Sequence, residues 1–150
     1  MNKNKKRISW LLLIAWMLII FIMSHQPADI STSQSDSVLK LFNKIGIELN
    51  SEPGQIGSFI VRKSAHFLEY MILFLLAYNV SRNYITNRKS KLLLIGFVFL
   101  YACTDEFHQY FIPGRSMAFR DVLIDTSGGV IGYIITIIFN KLKVKEVKVE

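Results

Sequence analysis

The sequence predicts an all-α fold: a polytopic membrane protein with four transmembrane helices and an outer amphipathic helix between helices one and two. Three observations carry that expectation. Apolar residues make up 51% of the chain and arrive in blocks, the pattern of membrane spans rather than of a soluble core. The net charge of +7 lies beside and between those blocks. Later blocks also carry their ionisable residues on one face near one end, which lipid-facing helices avoid. At 150 residues the chain suits a single domain over 1–150.

Helix one, residues 8–25, is built on "ISWLLLIAWMLIIFIM" behind a basic arm. A signal peptide has that layout, but "SHQPADIS" lacks a small-x-small cleavage site and further apolar segments follow, so the span is retained. The apolar block is shorter than the roughly 20 residues that cross a bilayer, so Arg7 and Ser24 to Gln26 complete the span at its edges. In the next connection, the serines and Asp36 of "STSQSDS" are expected to cap a helix. "SVLKLFNKIG" follows, with Val38, Leu41, Phe42 and Ile45 at helical spacing and Gly46 as a stop. This short helix lies on the outer bilayer surface or covers the bundle mouth, as a packing segment or as a moving lid.

Helix two spans 59–80, helix three 91–112 and helix four 121–140, the last from "DVLIDTSGGVIGYIITIIFN". Basic residues set the orientation. Lys3, Lys5, Lys6 and Arg7 precede helix one, Arg82, Arg88, Lys89 and Lys91 join helices two and three, and Lys141, Lys143, Lys145 and Lys148 follow helix four. The 24–58 connection has only Lys40 and Lys44 against Asp29, Asp36, Glu48 and Glu52. By the positive-inside rule both termini are cytoplasmic, and the polar halves of helices two, three and four fall together on the outer side. The positive charge is thereby accounted for, and no basic patch interleaved with aromatics suggests nucleic acid. A lone cysteine, Cys103, excludes an intrachain disulfide and a cysteine-ligated zinc site.

At about 100° per residue, Arg62, Lys63, His66, Glu69 and Tyr70 share one arc of helix two. Asp105, Glu106 and Gln109 share an arc of helix three, with Tyr101 a turn deeper beside Asp105. Asp121 and Asp125 stack on helix four, continued by Gly128, Gly129 and Gly132. His108 falls off its helix's stripe. Gly128-x-x-x-Gly132 lets a neighbouring backbone come close. The cluster holds five acids (Glu69, Asp105, Glu106, Asp121, Asp125), four fixed bases (Arg62, Lys63, Arg115, Arg120) and His66. An ionised group at a helix centre costs about 2.5–3.5 kcal/mol, so these must face one another or water. Their near-balance of sign lets the cluster neutralise itself without a metal.

Two readings follow: an ion-pair network that orients helices, or a pocket open to the outer leaflet. Buried ion pairs stabilise less than apolar packing does, which favours the pocket. The bases can hold a phosphate or carboxylate, and the Pro-Gly turn of "FIPGRS" aims Arg115 back over the mouth. His66 with Glu69 can serve as a base and its orienter. Asp105, Glu106, Asp121 and Asp125 can instead hold a divalent cation, though no cofactor is required. No nucleophile elbow, P-loop or H-E-x-x-H motif occurs.

The ordered set "SHQ", "RKSAHFLEY", "DEFHQYFIPGR" and "DVLIDTSGGVIG" resembles the VanZ-like family of small bacterial membrane proteins. With Arg62, Lys63 and Arg115, the matched Gln26, Tyr70 and Gln109 make the expected ligand-binding set. His66, Glu69, Asp105, Glu106, Asp121 and Asp125 are the catalytic candidates. The resemblance implies a multi-pass protein of the bacterial plasma membrane and, through the family's founding member, a link to low-level teicoplanin resistance. "RKSAH" departs from that member, which is less charged there. The expected function is to bind or process an anionic cell-envelope molecule, a lipid-linked wall precursor or a lipid headgroup. The alternatives are an envelope enzyme using His66 and the carboxylates, and a non-catalytic packing or partner module. Expected partners are the bilayer and such a lipid, with no nucleic acid.

Overall fold

The computed structural model describes residues 3–46, 56–82, 84 and 88–146, with side chains from 91 to 142 in the last stretch. Among them are five helices and no strand: α1 (Lys3–Ser24), α2 (Ala28–Lys44), α3 (Ile56–Ser81), α4 (Arg88–Gln109) and α5 (Phe119–Glu146). Long unbroken apolar runs, free of proline inside every helix, explain α1 and the body of α5.

Contacts between named residues give the helix directions. Asn79 donates to Ser9 Oγ at 3.0 Å and the Trp16 indole donates to the Glu69 carbonyl at 2.9 Å, so α1 and α3 run antiparallel. Tyr101 donates to the Met17 carbonyl at 2.7 Å and Ser24 to Asp105 at 2.8 Å, so α1 and α4 run parallel. On α5, Gly128 faces Phe67 and Gly132 faces Met71, which makes α3 and α5 parallel. Hence α1 and α4 end, and α3 and α5 begin, at the same end of the bundle. That end holds the polar residues of all three later helices. The opposite end gathers basic side chains: Lys6 lies over the Tyr84 ring and Lys91 over Tyr78, which also accepts from Asn140.

The core is a thin strip of Leu13, Ile20, Leu73, Phe74, Ala77 and Val98. Apolar side chains also cover the outside, among them Leu11, Leu18 and Ile22 on α1 and Ile131, Ile138 and Phe139 on α5. Only 22% of α1's most apolar stretch and 33% of α5's are buried within the molecule. An apolar solvent suits such an exterior.

Among the described residues two helices are long and apolar enough to cross a membrane by composition: Lys3–Ser24 and Phe119–Leu142. Helices α3 and α4 have the length but carry Arg62, Lys63, Glu69, Asp105 and Glu106. The serines and Asp36 do not cap α2. That helix starts eight residues before Asp36, behind Pro27, with no side-chain cap. Thr32, Ser35 and Ser37 each donate to the carbonyl one turn back, so their hydroxyls are satisfied inside the helix. Asp36 accepts from Ser58 on α3. Ser35 and Leu39 form the buried face of α2, while Val38, Leu41 and Ile45 stay exposed. Gly46 ends the helix as expected, in a left-handed conformation at φ 84°. Helix α4 stops at Gln109, and residues 110–112 turn instead of extending it. Glu48, Glu52 and Lys148, and the side chains of Arg88, Lys89, Lys143 and Lys145, lie outside the described residues.

Candidate functional site at the polar end

Glycines on α5 set the spacing beneath the site. A Cβ at Gly128 would collide with the Phe67 carbonyl, one at Gly132 would stand 3.0 Å from the Met71 oxygen, and one at Gly129 2.8 Å from Val98 of α4. Bare backbone therefore lets α5 sit directly on α3. One or two turns above this seam, Asp121 and Asp125 meet α3. Lys63 Nζ lies 2.5 Å from Asp121 Oδ2, and His66 Nδ1 lies 3.9 Å from Asp125 Oδ1 and 3.7 Å from Glu69 Oε2.

Helix α4 supplies two buried carboxylates with different tasks. Asp105 Oδ2 accepts from Ser24 at 2.8 Å and from Gln109 at 3.1 Å. Gln109 also donates to Ser24 Oγ at 3.3 Å, closing a triangle between α1 and α4. Tyr70 places its hydroxyl beside Asp105 without a well-aligned hydrogen bond. Glu106 Oε2 accepts from the Ala118 N–H at 3.0 Å, just ahead of α5. A carboxylate there satisfies a donor at the helix N-terminus and complements its dipole.

The 110–118 turn brings Arg115 over the mouth. Gly114 adopts φ 72°, with the Ala28 Cβ 3.0 Å from where its own side chain would begin. The Ala28 N–H donates to the Pro113 carbonyl at 3.2 Å, fixing this turn to the start of α2. Arg115 Nε donates to the Gln26 carbonyl at 2.8 Å. Burial, and then the neighbouring Arg62 guanidinium, lower the Arg115 pKa from its ordinary value. Two guanidiniums thus share one neighbourhood. No ion pair forms with either among the described residues.

A cavity of about 100 Å³ opens here, walled by Arg62, Lys63, His66, Gln109, Arg115 and Asp121. A second, of about 150 Å³, shares Arg62, His66 and Arg115 and takes α2 as its other wall, through Ser31, Gln34 and Ser35. Gln26 lines this second space.

The structure brings His66, Glu69, Asp121, Asp125, Asp105 and Glu106 to one level, with Arg62, Lys63, Gln109, Arg115, Gln26 and Tyr70 around them. Among the described residues it does not bring all the charges into pairs: Lys63 alone of the bases makes a close contact with a carboxylate. Arg120 stays at the rim, its side chain 68% exposed and 3.9 Å from Asp121. Tyr101 turns away to α1. Ser24, fully buried against Asp105, belongs to the site although sequence reasoning did not rank it; its place in "SHQ" was the available signal. His108 pairs outside the site with His25, ring nitrogens 3.0 Å apart, beside Phe21.

An all-α bundle with an apolar exterior, two membrane-length helices and a polar end defines a membrane-protein class. The chain belongs to the VanZ/LLP1 family, whose model matches residues 9–140. Neither a curated protein nor a solved structure matches it.

Proposed function

We propose that α1, α3, α4 and α5 all cross the bacterial plasma membrane, and that the polar end faces outward and binds an anionic cell-envelope molecule. The carrying observation is the cavity that Arg62, Lys63 and Arg115 line, with no carboxylate paired to either arginine among the described residues. At 26 and 22 residues, α3 and α4 rise about 39 and 33 Å, enough for a hydrocarbon layer of roughly 30 Å. The basic side chains at the other end support cytoplasmic termini. Paired guanidiniums favour a phosphate or carboxylate, held by planar forks. An apolar exterior around that cavity suits a ligand carried by a lipid, either a headgroup or a lipid-linked wall precursor.

The test is mass spectrometry of lipids that co-purify with the full chain, compared with Arg62→Ala and Arg115→Ala. Enrichment of one phosphate-bearing lipid in the parent and its loss from both variants is expected. Equal lipid profiles in all three proteins would overturn the reading. Teicoplanin susceptibility of cells with and without the chain tests the resistance link separately.

A second reading, an envelope enzyme, is favoured by His66, which lies between two carboxylates and lines both cavities. An imidazole so placed can accept a proton from a bound group. Conversion of the co-purifying lipid by the parent, and retained binding without conversion by His66→Gln, would establish it.

A further inference from the structure

We propose that His66, Asp105 and Asp125 form a binding site for a divalent transition-metal ion, with zinc or manganese the best chemical match. The residues come from α3, α4 and α5, and each offers one ligand atom, all within 4.8 Å of one another. Bond lengths of about 2.0–2.2 Å put ligand atoms roughly 3–4 Å apart around such an ion, so side-chain shifts of about 1 Å or less complete the site. A ligand set of one imidazole and two carboxylates fits zinc, manganese or iron better than magnesium or calcium, which take oxygen alone.

An independent observation concerns unmet bonding capacity. Asp125 is 1% exposed, and its Oδ2 has no hydrogen-bond partner among the described residues; His66 Nδ1 is in the same condition. The contacts of His66 with Asp125 and Glu69, at 3.9 and 3.7 Å, are too long for hydrogen bonds. Buried polar groups left like this are unfavourable, and a shared cation resolves the imidazole and the carboxylate together. Asp105 is already oriented by Ser24 and Gln109, the supporting shell that metal-binding carboxylates use.

This proposal deepens the anion-binding reading and rests on it for the ligand's approach. His66 lines the cavity of Arg62 and Arg115 and is also a ligand of the proposed ion, so the two sites share this side chain.

The experiment uses the full chain in detergent, stripped with a chelator and titrated with cobalt(II) as a spectroscopic probe, then with zinc in competition. One equivalent per chain with a cobalt ligand-field spectrum is expected. His66→Gln and Asp125→Asn should each remove it, and Ser24→Ala should weaken binding by about 10–100-fold. The exposed His25–His108 pair is the adventitious competitor, so a variant with both histidines changed to alanine should retain the equivalent. Loss of binding in that double variant, or no stoichiometric binding by the parent, overturns the proposal. Folding of each variant is checked by far-ultraviolet ellipticity, and zinc should raise the parent's melting temperature but not that of Asp125→Asn. The two readings fail separately: Arg62→Ala should keep the metal and lose the lipid. A lipid bound equally before and after metal removal would break the link between the two sites.

Discussion

Replacing Gly128 with alanine tests the α3–α5 seam on which the site stands. The new Cβ meets the Phe67 carbonyl oxygen, part of the backbone of the facing helix, which cannot rotate away. Overpacking costs typically about 1–3 kcal/mol, and an immovable backbone atom puts this case at the upper end. A mid-helix alanine returns about 1 kcal/mol of intrinsic propensity over glycine. The net expectation is destabilisation by about 2 kcal/mol, roughly a thirtyfold fall in the folded-to-unfolded ratio. Gly96→Ala is the matched control, because nothing lies within 4 Å of its Cβ position. That variant should be neutral or more stable by up to about 1 kcal/mol. The assay is unfolding in mixed detergent micelles, followed by helix ellipticity. Equal midpoints for Gly128→Ala and Gly96→Ala would show that the two helices are not in backbone contact, and the shared level of the polar residues would lose its basis.

Two further outcomes follow from side chains near the seam. Glu106→Ala leaves the Ala118 N–H without its acceptor and should cost about 1–3 kcal/mol in the same unfolding assay. Glu106→Gln keeps an acceptor and loses only the charge at the helix start, so its cost should stay below about 1 kcal/mol. A double-mutant cycle of Lys63→Met and Asp121→Asn should give a coupling of about 1–3 kcal/mol, above the range of exposed pairs. The reason is burial, since these side chains are 17% and 14% exposed. Coupling near zero would mean that the pair does not hold α3 to α5.

Periodicity made much of the bundle legible. Arg62, Lys63, His66 and Glu69 share an arc because the helix repeat puts them there, and no tertiary knowledge is needed to see it. The glycines of α5 likewise advertise close approach, though not toward which neighbour. What stayed hidden depends on contacts between distant segments. "STSQSDS" reads as a loop because serine and aspartate favour caps and turns, yet three hydroxyls bond back to carbonyls within α2 and Asp36 finds Ser58. Glu106 belongs by spacing to the same stripe as Asp105, but its position at the start of α5 gives it a structural task that spacing cannot reveal. Ser24 became part of the site only because α1 runs parallel to α4, a relation that no local pattern encodes.

The arrangement of signs bears on why the charges are there at all. A network whose sole task was to orient helices would bring each carboxylate to a guanidinium or an ammonium, because an unpaired buried charge is far costlier than a paired one. Here, among the described residues, Lys63 with Asp121 is the one close ion pair, and the other opposite signs are kept apart. Arg115 spends its donors on the Gln26 and Met23 carbonyls, Asp105 is held by Ser24 and Gln109, and Glu106 by a backbone N–H. Neutral partners satisfy the hydrogen-bonding capacity of both classes. On the proposed readings, the arginines so separated would hold an anion and His66 with Asp105 and Asp125 a cation, with His66 common to the cavity and the cation site. On the proposed function, that separation would let Arg62 and Arg115 take an anionic group without first breaking an ion pair of their own, which packing alone gives no reason to maintain.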